Sequence, residues 1–149
     1  MKRHEELEQA WLEIVKILKS VGLEQWSDIK KELGESFVAH LYNGTSLKAN
    51  QKGSDVLSHD GERIQVKFRT TSGYKRNGEL KRQTSLKNSN WACDKFVEVL
   101  TDPDNGKIKL AIEYDVNDVQ AKSAHDAHDN INVTSQGKLK DCAKVIYER

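Results

Sequence analysis

Residues 53–69 read GSDVLSHDGERIQVKFR, and their pairing sets the fold. Two short β-prone runs, SDVLSH (54–59) and ERIQVKFR (62–69), flank His59-Asp60-Gly61. An Asp-Gly step between such runs is a hairpin signal. In the second run Ile64, Val66 and Phe68 alternate with Gln65, Lys67 and Arg69. A period of two puts the aliphatic residues on one face and the polar trio on the other. A hairpin has no need of Asp55, Gln65 and Lys67 for its stability, so these three are candidates for chemistry. Nine residues and one turn separate Asp55 from Gln65, and pairing of the two runs draws their side chains together. Lys67, two residues beyond Gln65, shares its face.

Working outward, residues 4–20 place Leu7, Trp11, Ile14, Val15 and Leu18 at helical spacing, closed by Gly22. A second helix is expected from near Ser27, as N-cap, to Asn43-Gly44, with Ile29, Leu33, Phe37 and Leu41 as its apolar stripe. Downstream, KFVEVLTD (95–102) and KIKLAIEY (107–114) flank Pro103-Asp104-Asn105-Gly106 and read as two strands. Asp115 caps a short helix to about Lys122, and Ile131–Thr134 reads as an edge strand. Residues 71–90 lack periodicity, are rich in Gly, Ser, Thr and Asn, and read as a long loop. The tail from Gly137 mixes helical and strand signals. The order α-α-β-β-loop-β-β-α-β predicts an α/β fold with a mixed central sheet flanked by helices. Its 149 residues suit a single domain (1–149), with a helical segment, 1–26, preceding the core.

Composition narrows the function. No run approaches the roughly 20 apolar residues that cross a bilayer, and no signal-peptide pattern opens the chain. Cys93 and Cys142 form no CxxC and read as free thiols of a reducing cytoplasm. The net charge of +1 hides an asymmetry. Residues 63–90 carry Arg63, Lys67, Arg69, Lys75, Arg76, Lys81, Arg82 and Lys87 against Glu79 alone, a local +7 that leaves −6 for the remainder. Such a division points to an anionic partner on one side of the molecule.

An acid, an amide and an ammonium at one hairpin edge suit phosphodiester hydrolysis. A carboxylate holds a hard cation such as Mg²⁺, the amide oxygen of Gln65 adds a neutral ligand, and the Val66 carbonyl lies between. The cation acidifies bound water and withdraws charge from the phosphate. Lys67 orients or deprotonates that water, or neutralises developing charge.

Asp55…Gln65-Val66-Lys67 resembles the core motif of the PD-(D/E)xK nucleases, the restriction-endonuclease-like superfamily. In that family an Asp ends one hairpin strand and (D/E)-x-K lies on the next. The resemblance runs from about Leu33 to Glu113 and implies an αβββαβ core. It also implies a further metal-binding acid on the first core helix, for which Glu35 in LGESFVAHL is the match, 20 residues before Asp55. Ser54 stands where the motif has proline, and Gln65 stands for the second acid. The Q-x-K form is similar to Mrr-type restriction nucleases. The resemblance thus implies a Mg²⁺-dependent endonuclease, with Mn²⁺ as substitute, acting on double-stranded DNA. Asp55, Gln65, Val66 and Glu35 would hold the metal. Arg69, Lys75, Arg76, Lys81, Arg82 and Lys87 would bind DNA. Cutting both strands with one site per chain implies a homodimer, for which the first helix offers an interface.

Other readings use the same residues. A junction-resolving or nicking repair nuclease fits this fold, and so does a non-catalytic nucleic-acid-binding module in which Gln65 marks a decayed site. His125 and His128 have an i, i+3 spacing that zinc sites use, but no further ligand completes the set. Trp91 reads as a core anchor or a stacking platform. Cys142 has no evident partner base.

Overall fold

The computed structural model describes residues 2–47, 54–70, 75–76, 79–80, 83–87, 92–102, 104–122, 130–134 and 142–149. Two helices come first, α1 (Arg3–Ser20) and α2 (Trp26–Leu41). Gly22, at φ +72°, ends α1 in the left-handed region where a Cβ is strained. α2 starts one residue before the expected cap, so Ser27 lies in its first turn. The chain divides into two compact units, Met1–Leu33 and Gly34–Arg149, with the boundary inside α2. In the first unit Leu18 is buried, while Leu7, Trp11, Leu12 and Ile17 of α1 are exposed.

The second unit is built on a mixed six-stranded sheet in the order β1-β2-β3-β7-β8-β10. Its strands are β1 (Thr45–Ser46), β2 (Val56–Leu57), β3 (Arg63–Thr70), β7 (Lys95–Thr101), β8 (Ile108–Asp115) and β10 (Ala143–Glu148). β3 and β7 run parallel and every other pair in this sheet is antiparallel. β10 is an edge strand in this order, and its register against β8 shifts between Val145 and Tyr147.

Residues 71–90, expected to be a loop, carry three short strands: β4 (Lys75–Arg76), β5 (Glu79–Leu80) and β6 (Gln83–Lys87). β4 pairs with β5, and β6 pairs with β9 (Asn130–Thr134) outside the main sheet. Parallel neighbours such as β3 and β7 need a long crossover connection, which is why so many residues separate them. The undecided tail is β10. Strand pairing with β8 decided it, not local propensity.

Period two organises the core. Ile64 and Val66 of β3, Val97 and Val99 of β7 and Ala111 of β8 face one side and pack on Val38 and Ala39 of α2. Phe96, Leu100, Leu110, Ile112 and Tyr114 face the other side, against Val116 and Val119 of α3 (Val116–Lys122). α3 is capped as expected, since Asp115 Oδ1 accepts from Asn117 N at 2.9 Å and Asp118 N at 3.2 Å. Two glycines are demanded by close approach. A Cβ on Gly34 would stand 2.9 Å from the Phe68 ring, and one on Gly44 would stand 2.1 Å from the Leu57 carbonyl oxygen. α2 and its exit turn therefore lie directly on the hairpin.

Candidate active site

The hairpin carries the site. β2 and β3 are in register at Val56↔Ile64 and Leu57↔Arg63, where the turn at Gly61 (φ +84°) closes them. Backbone pairing continues one residue further, with Asp55 N donating to Ile64 O at 2.8 Å. Beyond it, the Asp55 side chain takes over as acceptor. Its Oδ2 receives Val66 N at 2.8 Å and Gln65 Nε2 at 2.9 Å. The carboxylate thus closes the β3 edge where the β2 backbone has left it, which is the reason for an acid at the strand's mouth.

This geometry unites three of the four residues expected to hold a metal. The Ile64 carbonyl points to Asp55, and the Val66 carbonyl, two residues on, points the same way. Asp55 Oδ1 takes no hydrogen bond from the described residues. One carboxylate, one amide and one backbone carbonyl are a donor set of oxygens, the type that Mg²⁺ accepts alongside its waters.

The fourth expected ligand, Glu35, is partly buried on α2. Among the described residues no group of three or more His, Cys, Asp or Glu side chains is arranged to hold a metal ion. α2 packs on the aliphatic face of β3, and Gln65 and Lys67 occupy the opposite face.

Lys67 is half-buried on that opposite face. Burial pushes its ammonium below the usual lysine range, the Arg69 guanidinium adds to this, and the Asp55 carboxylate works against it. The Asp55 carboxylate is thus near enough to favour the Lys67 ammonium. Arg69 lies further along the same face. The side chains of Lys75, Arg76 and Lys87 lie outside the described residues, as do Lys81, Arg82, Trp91, His125 and His128 entirely.

Sequence reasoning missed two acids. Glu98 is only 2% exposed, although it lies in a strand otherwise apolar at its centre. A lone acid inside KFVEVL was the available signal. The second is Glu113, in a network on the α2 face. Tyr42 Oη donates to a Glu113 carboxylate oxygen, and Lys95 Nζ lies 3.1 Å from Glu62 and 3.5 Å from Glu113. The ammonium also stands 5.7 Å from the centre of the Tyr42 ring. These groups, with Asp60 and Lys144, line a cavity of about 280 Å³. Burial and the Glu113 carboxylate push the Tyr42 phenol far above its ordinary range, so it stays protonated and donating. Cys93 is buried beside the Gln65 backbone and pushed up to about 11, and Cys142 packs against the α3-side core.

Neither the protein-family models nor the curated proteins compared with this chain gave a match. Among the described residues, no helix is long and apolar enough to cross a membrane.

Proposed function

We propose that this chain is a Mg²⁺-dependent endodeoxyribonuclease with a restriction-endonuclease-like fold, in which Mn²⁺ can replace Mg²⁺. The observation that carries the reading is the convergence of Gln65 Nε2 and Val66 N on one Asp55 oxygen. It brings the Asp55 carboxylate, the Gln65 amide and the Val66 backbone together at a strand edge, with Lys67 next on the same face. Support also comes from the order of elements: a helix, three strands adjacent in the sheet, then a crossover to a strand parallel to the third.

Asp55, Gln65 and the Val66 carbonyl would hold the cation, which when bound would acidify a water and withdraw charge from the scissile phosphate. Asp55 holds its position through two hydrogen bonds from β3, so the site needs little reorganisation on binding. Gln65 fixes the carboxylate with its nitrogen and offers its oxygen. Lys67, already shifted toward its neutral form, orients the attacking water or takes its proton, and its cationic form neutralises charge on the phosphate. The basic stretch from Arg69 to Lys87 holds the DNA backbone, and a two-fold homodimer gives one site to each strand of a symmetric sequence.

Incubation with supercoiled and branched DNA, in Mg²⁺ or in EDTA, tests the reading. Cleavage in Mg²⁺ and none in EDTA is expected, and plasmid cut in preference to junctions favours the restriction role over repair. Absence of cleavage on every substrate in Mg²⁺ and Mn²⁺ overturns it. Sedimentation equilibrium with and without DNA tests the dimer, and a 17 kDa monomer in both would leave a nicking enzyme.

A further inference from the structure

The charges of α1 divide into those that are paired within the helix and those that are not. Arg3 Nη1 lies 3.2 Å from Glu6, and Lys16 Nζ lies 2.9 Å from Glu13, each pair three residues apart. Glu8 and Lys19 meet no opposite charge among the described residues. These two share one face of the helix. Glu8, Leu12, Val15 and Lys19 follow one another at i, i+4, i+7 and i+11, the spacing of a coiled-coil seam. The acid and the cation stand three turns apart, about 16 Å, with apolar residues between them. Leu12 is 52% exposed, Trp11 on the flank of the seam is 55% exposed, and Val15 is partly buried.

A seam with an acid at one end and a cation at the other complements itself only when reversed. In a parallel pair of such helices Glu8 meets Glu8 and Lys19 meets Lys19, and like charges repel. In an antiparallel pair, with the two-fold axis between Glu13 and Ile14, Glu8 of each copy faces Lys19 of the other. Leu12 then faces Val15, and the two Trp11 side chains lie on one flank of the seam. Antiparallel helices also oppose their dipoles. A two-fold contact is isologous, so each of these pairs occurs twice and association stops at two copies.

We propose that α1 is the dimer helix of this protein, pairing antiparallel with α1 of a second copy through Glu8, Leu12, Val15 and Lys19. The use of the dimer, one site for each DNA strand, rests on the nuclease reading, but the pairing itself does not. α1 belongs to the unit Met1–Leu33, whereas Asp55, Gln65 and Lys67 belong to Gly34–Arg149. Association can therefore be altered at the seam while the candidate site keeps all its residues.

Sedimentation equilibrium at micromolar protein, without DNA or metal, reads the pairing directly. The wild-type chain of 17.0 kDa is expected as a dimer. Glu8→Lys and Lys19→Glu each set like charges together twice, and each should raise the dissociation constant about tenfold. The double variant exchanges the two charges and should return the constant close to the wild-type value. A monomeric wild type, an unmoved constant in the single variants, or no rescue in the double variant overturns the proposal. Orientation is read by mixing protomers with Glu8→Cys and protomers with Lys19→Cys under mild oxidation and mapping the bridged peptides. Bridges between the two kinds of protomer are expected. Bridges joining Glu8→Cys protomers to one another in preference would mean a parallel pair and overturn it. A dimer that passes these tests but cuts no DNA keeps the pairing and removes the nuclease. Cleavage of DNA by a monomer does the reverse.

Discussion

Two polar clusters sit on opposite sides of the same hairpin and are built on different terms. On the α2 side, Lys95 is shared between Glu62 and Glu113, Tyr42 donates to Glu113, and the ammonium rests near the Tyr42 ring. Each charge there meets an opposite charge or a donor. On the other side, Asp55 accepts from Val66 N and Gln65 Nε2 on one oxygen, and Lys67 is pushed below the usual lysine range by burial and Arg69. A closed network fastens strands. A carboxylate, an amide and a cation whose protonation is shifted by burial are the ingredients of a functional-site candidate.

Breaking the two clusters should therefore have opposite signatures. The largest effect is expected from Asp55→Ala, which should reduce cleavage by about a thousandfold or more, in line with the loss of a group central to catalysis. Stability should fall by about 1–3 kcal/mol, because Val66 N and Gln65 Nε2 lose their acceptor, and DNA binding in EDTA should stay within about twofold. Plasmid nicking assays with calorimetry would check both, and a stable but active variant would dissolve the contrast.

Lys67→Met should lower cleavage by about a hundredfold or more, and its stability should move the other way. Burial lowers the Lys67 midpoint in the folded chain, so between that midpoint and the usual 10.5 the unfolded chain binds more protons. Folding stability of the wild type must then rise with pH across that window. Lys67→Met should abolish the rise and be no less stable than wild type at neutral pH. Urea titrations from pH 7 to 10.5 would show it.

Lys95→Met tests the closed cluster. Lys95 is 22% exposed and Glu113 12%, between the surface and buried limits for ion pairs. Leaving Glu113 without its cation should cost about 1–3 kcal/mol. Cleavage by the protein that remains folded should be within about twofold of wild type, since Lys95 stands beside Ile64, on the face of the sheet opposite Gln65 and Lys67. A catalytic loss as great as that of Lys67→Met would merge the two clusters into one.

The smallest effect sharpens the comparison most. Gln65→Glu replaces an amide donor, 2.9 Å from the Asp55 oxygen, with a second carboxylate. In EDTA it should lose about 1 kcal/mol, the value of one hydrogen bond and some repulsion. Mg²⁺ should restore that loss and bind more tightly than to wild type, as calorimetric titration would record.

Much of this was legible in the residues and some was not, for physical reasons. Alternation at Ile64, Val66 and Phe68 specified both the strand and its buried face, and Asp60-Gly61 specified the turn. Asp115 announced α3 because capping is local chemistry. β10 was ambiguous because its state is decided by β8, a partner some thirty residues away. The polar stretch 71–90 hid short strands and the parallel crossover, since neither has a period to read. Within the site, Asp55, Gln65 and Val66 were legible because one turn joins them. Glu98 was not, because its placement beside Lys67 depends on a parallel register that no local pattern encodes. For Glu35 a helical wheel gives the angle about α2, but not the face of the sheet on which α2 lies.

The shift in register on β10 has a further consequence. Among the described strands, β10 offers a six-residue row of backbone donors and acceptors at the margin of the sheet, and Val145 lies half exposed upon it. A straight row of this kind would accept a strand from any neighbouring molecule. The irregularity between Val145 and Tyr147 breaks the spacing midway, so an incoming strand can match one half or the other but not both. With Lys144 adding a charge beside it, the break guards the protein against joining sheet to sheet at high concentration.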